Sequence, residues 1–195
     1  MGKIIYLMGK SSSGKDTIYQ RLLASGLKLE RLVPYTTRPI RAGETEGVEY
    51  HFTDDAGLAA IRSAGKLVEL REYHTCHGIW RYFTAVDDSM NLAEHNYILI
   101  GTIEAYRRMT EYFGQEALLP VLIELDDGVR LQRALDRERQ QDHPKYEEMC
   151  RRFLADSADF SEEKIAEAGI GRRFQNNDLD QCLEEITTYI IQNTR

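Results

Sequence analysis

Lys3-Ile4-Ile5-Tyr6-Leu7-Met8 runs directly into Gly9-Lys10-Ser11-Ser12-Ser13-Gly14-Lys15, and residues 16–24 continue with Ile18, Leu22 and Leu23 at helical spacing. The order is a buried strand, a glycine-bounded loop and a helix. Glycines at both ends of such a loop let successive backbone N–H groups turn inward around phosphate oxygens. The helix that follows adds the positive end of its dipole, and Lys15 supplies a mobile ammonium for the β- and γ-phosphates. Gly9, Ser11, Ser12, Ser13, Gly14, Lys15, Asp16 and Thr17 are therefore the candidate ATP-binding residues, with Lys15 also a catalytic candidate. One position departs from the common pattern. After Gly-Lys the usual residue is Ser or Thr, whose hydroxyl ligates magnesium, whereas this chain has Asp16 and then Thr17.

Outward from the loop, strands alternate with helices. Residues 97–100, 121–125 (after Pro120) and 174–176 read as strands, and 104–112 and 179–191 as helices. This alternation predicts an α/β fold, a parallel sheet flanked by helices. Residues 34–90 break the pattern, because Pro34, Pro39, Gly43 and Gly47 punctuate a polar stretch. Strands at 48–52, 67–73 and 79–84, with a helix at 54–65, predict a small, mostly β insertion. Residues 130–139 and 146–154 are helical and rich in arginine. The expected layout is one domain over 1–195: a core of 1–33 and 95–195, an insertion of 34–90, and an Arg-rich helical lid at about 130–155.

The formal net charge of −7 makes the chain a poor non-specific binder of nucleic acid, so a polyanion needs a local basic site. Residues 1–8 lack the basic start and long apolar run of a signal peptide, and no stretch of about 18 apolar residues follows. Three widely spaced cysteines, Cys76, Cys150 and Cys182, suit reduced thiols used for packing. The expectation is a cytoplasmic protein with neither nucleic acid nor membrane as partner.

Arg38 and Arg41 lie three apart in the turn-rich stretch, where two guanidiniums can converge on one dianionic phosphate. Tyr50 can donate its hydroxyl to the same group. The whole segment, Tyr35-Thr36-Thr37-Arg38-Pro39-Ile40-Arg41-Ala42-Gly43-Glu44 and then Gly47-Val48-Glu49-Tyr50-His51-Phe52, resembles the acceptor-binding segment of guanylate kinases. The order of elements is similar over nearly the whole chain, as far as Asn176-Asn177-Asp178-Leu179. The resemblance implies a P-loop kinase that moves the γ-phosphate of ATP to a nucleoside monophosphate, GMP favoured, with Mg²⁺. It implies that Arg38, Arg41 and Tyr50 bind the acceptor phosphate, that Glu69 accepts from guanine, and that Asn176 lies beside adenine.

The resemblance has gaps. Thr75-Cys76-His77-Gly78-Ile79-Trp80 stands where the family has Gly-x-Tyr-Tyr-Gly-[Ser/Thr], which puts His77 in the place of a phosphate-binding tyrosine. Leu99-Ile100-Gly101-Thr102-Ile103-Glu104 stands for Leu-Asp-x-Asp-x-Gln, so Ile100 and Thr102 replace two aspartates. Thr102 keeps one hydrogen bond for the base. Asp16 is the candidate that takes over the metal duty lost at Ile100, since a carboxylate ligates Mg²⁺ directly or through water.

Arg130, Arg133, Arg137 and Arg139 precede residues 140–144, and Arg151 and Arg152 follow. Some of this charge is expected to pair with Asp136, Glu138 and Glu148 on solvated helix faces. The rest suits a lid that places positive charge over a transferring phosphoryl group and keeps water out. Arg137 or Arg139 in the first helix, and Arg152 in the second, are the catalytic candidates. Two other readings stand beside the first: a kinase of another phosphorylated acceptor such as ribose 1,5-bisphosphate, and a non-catalytic module of the same architecture.

Overall fold

The computed structural model of the protein describes residues 2–41, 43–75, 78–86 and 90–194. The strand β1 (Ile4–Met8) is wholly buried, and its side chains divide between two cores. Ile4, Tyr6 and Met8 enter one, and Ile5 and Leu7 the other. A strand that is apolar on both faces belongs in the middle of a parallel sheet. β1 pairs in parallel with β7 (Asn96–Ile100) and β8 (Leu118–Glu124). β2 (Leu29–Arg31) extends the sheet beyond β7, and β9 (Arg173–Gln175) extends it beyond β8. The order is β2-β7-β1-β8-β9.

Helices cover both faces. Against Ile5 and Leu7 pack Ile18 and Leu22 of α1 (Lys15–Ala24) and Cys182, Ile186 and Ile190 of α7 (Leu179–Asn193). Against Ile4 and Tyr6 pack Ile103, Tyr106 and Met109 of α3 (Ile103–Phe113) and Ile165 of α6 (Glu162–Glu167). Tyr6 and Tyr106 meet edge to face at 5.3 Å between ring centroids. The fold is mixed α/β with a parallel sheet flanked by helices.

Pro120 lies inside β8, which begins three residues before the expected position. Proline removes a ladder donor, and the strand tolerates it because pairing with β9 starts only at Leu122.

A second sheet has the order β4-β3-β6-β5, formed by β4 (His51–Phe52), β3 (Tyr35–Thr36), β6 (Gly78–Ala85) and β5 (Leu67–Thr75). The strand expected over 48–52 shortens to two residues. Gly47 adopts φ +75° and Val48 N–H donates to Thr45 O, so the chain turns before it extends. α2 (Asp55–Ser63) starts at Asp54, whose carboxylate accepts from Gly57 N–H.

The arginine-rich helices are α4 (Asp127–Arg139) and α5 (Tyr146–Asp159). Asp126 caps α4 by accepting from Val129 N–H, which moves its start three residues ahead of the expected one. Cys182 is a core residue whose thiol burial pushes up to about 11. Cys150 is exposed on α5, so the expectation that it serves packing is corrected; Cys76 lies outside the described residues. No helix among the described residues is long and apolar enough to cross a membrane.

Candidate active site

The loop between β1 and α1 owes its shape to contacts at both of its glycines. A side-chain carbon on Gly9 would stand 2.5 Å from Ile123 O, and one on Gly14 would stand 2.3 Å from Asn176 Nδ2. Gly14 also holds φ +90°, and Ser12 holds φ 62°. Behind the loop, Asn176 is buried directly after β9, with its N–H on Glu124 O and its Nδ2 donating to Ser13 O at 2.7 Å. Its Oδ1 and the Ser13 hydroxyl are both buried without a hydrogen-bond partner. Asn176 thus braces the loop from within the fold. Lys15 is mostly covered, Thr17 is exposed, and the Lys15 ammonium lies 3.9 Å from the Asp16 carboxylate.

The arginine helices come down on this loop. Arg137 of α4 reaches Ser12 Oγ at 3.4 Å, and Arg152 of α5 reaches Ser11 Oγ at 3.4 Å. Arg139 does not join them: it is exposed and pairs with Asp136 at 3.8 Å. The reason is helical phase. Arg130, Arg133 and Arg137 follow i, i+3, i+7 on one face, and Arg139 sits two residues further round. Arg133 was not singled out by sequence, yet its Nη1 lies 3.8 Å from where a Gly14 side-chain carbon would stand. Arg130 is fully buried between Asp127 (3.2 Å) and Asp156 (3.5 Å), with Phe153 under its guanidinium at 5.0 Å. Asp156 in turn accepts from Ser11 N–H at 2.8 Å.

The second sheet carries the acceptor-segment residues. Arg38 is buried and held end-on by Glu44, at 2.7 and 2.5 Å, with the Tyr50 ring 5.1 Å from its guanidinium. This pairing holds the Glu44 carboxyl below its ordinary value, because Arg38 donates to it, burial notwithstanding. Arg41 is more open, over Trp80 at 5.8 Å. Arg41, Tyr50 and Thr102 line a cleft of about 850 Å³ together with Lys145 and Arg151 from the start and middle of α5. Burial raises the Tyr50 hydroxyl above its ordinary value, which keeps it a donor.

β5 and β6 build the floor of that cleft from cross-strand pairs on one face: Glu69 opposite Thr84, Arg71 opposite Tyr82, and Tyr73 opposite Trp80. Glu69 is at the buried end. It accepts from Thr84 Oγ1 (2.9 Å), Arg71 Nε (2.9 Å) and Arg71 Nη2 (3.2 Å). Arg71 reaches on to Thr102 Oγ1 at 3.3 Å. Thr102 caps α3 by accepting from Ala105 N–H, and its carbonyl takes the Tyr6 hydroxyl. His77 lies outside the described residues.

A family model described as guanylate kinase matches residues 1–193 of the chain. The chain belongs to the guanylate kinase family. A guanylate kinase of Salinibacter ruber is 30% identical over 97% of this chain and 95% of its own length. Another, of Cupriavidus pinatubonensis, is 27% identical over 97% of this chain and 82% of its own. A crystal structure of guanylate kinase from Anaplasma phagocytophilum shares the fold, with TM-score 0.66 and 21% identity over 99% of this chain and 86% of that one.

Within this family the metal question turns on Asp16. Among the described residues no three His, Cys, Asp or Glu side chains cluster to cage an ion. Mg²⁺ does not require such a cage, since one or two carboxylates, phosphate oxygens and waters satisfy it. Asp16 offers an exposed carboxylate in the first turn after the loop, and it lines a 360 Å³ cavity together with Tyr50 and Ile100. The donor set fits an ion carried in on the nucleotide.

Proposed function

We propose that the protein transfers the γ-phosphate of ATP to GMP, giving ADP and GDP. One observation carries the reading: Tyr50 lines both the cavity it shares with Asp16 and the cleft it shares with Arg41, Arg71 and Thr102. The start of the nucleotide-loop helix and the acceptor cleft thus meet at one side chain. In-line phosphoryl transfer needs this kind of alignment, plus positive charge where oxygen charge builds up.

In this reading the N–H groups of the loop and Lys15 hold the triphosphate. Arg137 and Arg152 sit over the transferring group, with Arg133 beside them, and Arg139 drops out. Arg41 and Tyr50 take the acceptor phosphate, and Arg38, neutralised by Glu44, supports Tyr50 from beneath. Asn176 holds the loop and offers its unpaired Oδ1 to an amino group such as that of adenine. Bound Mg²⁺ neutralises phosphate charge, with Asp16 as the protein's carboxylate toward it. Residues 34–90 act as the acceptor-binding part and 130–155 as the lid, in a protein of the cytoplasm where ATP and GMP are found.

The cradle for ATP and a family match over 1–193 do not favour a pure binding module or a sugar-phosphate acceptor. The test is ADP release from Mg-ATP with GMP, CMP, UMP or ribose 1,5-bisphosphate. GMP-dependent turnover is expected. ATP binding without GMP turnover would overturn the proposal.

A further inference from the structure

We infer that Trp80 is a positioning residue, whose indole holds the Arg41 guanidinium ready for the acceptor phosphate. The inference rests on the proposed transfer to a nucleoside monophosphate and says what prepares its phosphate site.

The fold brings the two side chains together. β3 runs antiparallel to β6, with Thr36 opposite Tyr82. One residue further, Thr37 N–H donates to Arg81 O at 2.9 Å and Arg81 N–H donates to Thr37 Oγ1 at 3.0 Å. The chain then leaves the sheet next to Trp80, as the turn that carries Arg41. Glu44 fixes the backbone of that turn. Its carboxylate accepts from Arg41 N–H at 2.8 Å, and its own N–H donates to Arg41 O at 3.1 Å. Glu44 thus sets where Arg41 begins, and Trp80 sets where its guanidinium ends, 5.8 Å from the ring centroid.

Arg38 and Arg41 are held in opposite ways. Glu44 takes Arg38 through hydrogen bonds of 2.7 and 2.5 Å, which occupy its donors. The charge of Arg41 is felt by Glu44 and Glu148, yet among the described residues its guanidinium forms no ion pair. Glu44 is engaged by Arg38, and Glu148 by Arg151. A guanidinium carries its five N–H groups in its own plane, so a ring face can seat it and take none of them. An ion pair cannot do that. An arginine already seated also loses less rotamer freedom when it grips a phosphate.

Trp80 is itself part of a row. It stands opposite Tyr73 across the β5–β6 ladder. The Tyr73 ring meets Tyr82 edge to face at 5.5 Å, and Tyr82 meets Tyr50 at 5.6 Å. All four rings line the cleft, so the row joins the seat of Arg41 to Tyr50, its fellow phosphate ligand.

The experiment is steady-state kinetics of the whole protein with Mg-ATP and GMP. Trp80→Leu keeps bulk without a ring, and is expected to raise the KM for GMP by about 3- to 10-fold, with kcat and the KM for ATP within about twofold. Trp80→Phe keeps a ring face and is expected to restore most of that loss. Arg41→Gln, alone or combined with Trp80→Leu, is expected to give one KM for GMP within about twofold, because Trp80 acts through Arg41. Trp80 is also the only tryptophan of the chain, so Arg41→Gln should alter the tryptophan emission of the protein before any nucleotide is added. Should Trp80→Leu fail to fold, Trp80→Phe and the emission of Arg41→Gln decide. The inference is overturned if Trp80→Leu leaves the KM for GMP unchanged or raises both KM values alike, or if Trp80→Phe is no better than Trp80→Leu. It is overturned equally by a combined variant clearly worse than Arg41→Gln, or by an unchanged emission. Turnover of GMP with any of these results overturns only the role of Trp80. Silence of the unaltered protein with GMP overturns the proposed function, and this inference with it.

Discussion

Asp156 accepts the backbone N–H of Ser11 at 2.8 Å, so a carboxylate of α5 is bonded to the loop proposed to hold phosphate. Arg130 stands on its far side at 3.5 Å, and Arg152 stands over the hydroxyl of the same serine. An anion of the protein's own thus bonds a donor that a nucleotide phosphate would use.

Neutralising that carboxylate should help ATP. Asp156→Asn keeps the shape and weakens a charge-assisted bond worth about 1.5–3 kcal/mol, so the Kd for ATP is expected to fall severalfold by calorimetry. Weaker ATP binding would show instead that Asp156 organises the loop.

Asn176→Ala tests the brace behind the loop. Loss of the 2.7 Å bond to Ser13 O is expected to cost about 1–2 kcal/mol of unfolding free energy and to raise the KM for ATP. The KM for GMP should stay put, because Asn176 has no part in the acceptor cleft. A matching rise in both constants would contradict the assignment.

Asp16→Ser restores the common hydroxyl after Gly-Lys. If Asp16 is the carboxylate toward Mg²⁺, the variant should need several times more magnesium for half-maximal rate, with kcat at saturating metal less affected. Full activity at limiting magnesium would sink that role, and chelation with EDTA should silence both proteins.

Glu44 ties stability to pH. Its pKa in the folded chain lies below the ordinary 4.5, so the ionised form stabilises the fold. That contribution is complete above the unfolded value and fades as pH falls through the lowered one. Glu44→Gln should therefore flatten the acid side of a stability-versus-pH curve, and cost about 1–2 kcal/mol at pH 7 by denaturant unfolding.

Much of the fold was legible in the sequence where burial on both faces left a continuous apolar run, as in β1. Elements of two or three residues left no period to find, which is why β2 and β3 went unread. α6 has only six residues, too few for its single buried Ile165 to set a pattern. In the site, the acceptor segment was readable through its residue types. The Glu69–Arg71 pair was not, because it depends on which face of β5 turns toward Thr84 and Thr102. The phase of α4 did carry a usable signal: the i, i+3, i+7 row through Arg130, Arg133 and Arg137 separates Arg139 by spacing alone.

The bond from Asn176 to Ser13 spans 163 residues of chain. During synthesis the loop sequence leaves the ribosome before its support, which arrives only with β9, after the arginine-rich helices and the whole second sheet have been made. A truncated chain that stops short of Phe174 carries the nucleotide motif without the backing that shapes it. Unfinished copies should therefore neither sequester ATP nor spend it, and the finished enzyme switches on late, as the last strand docks.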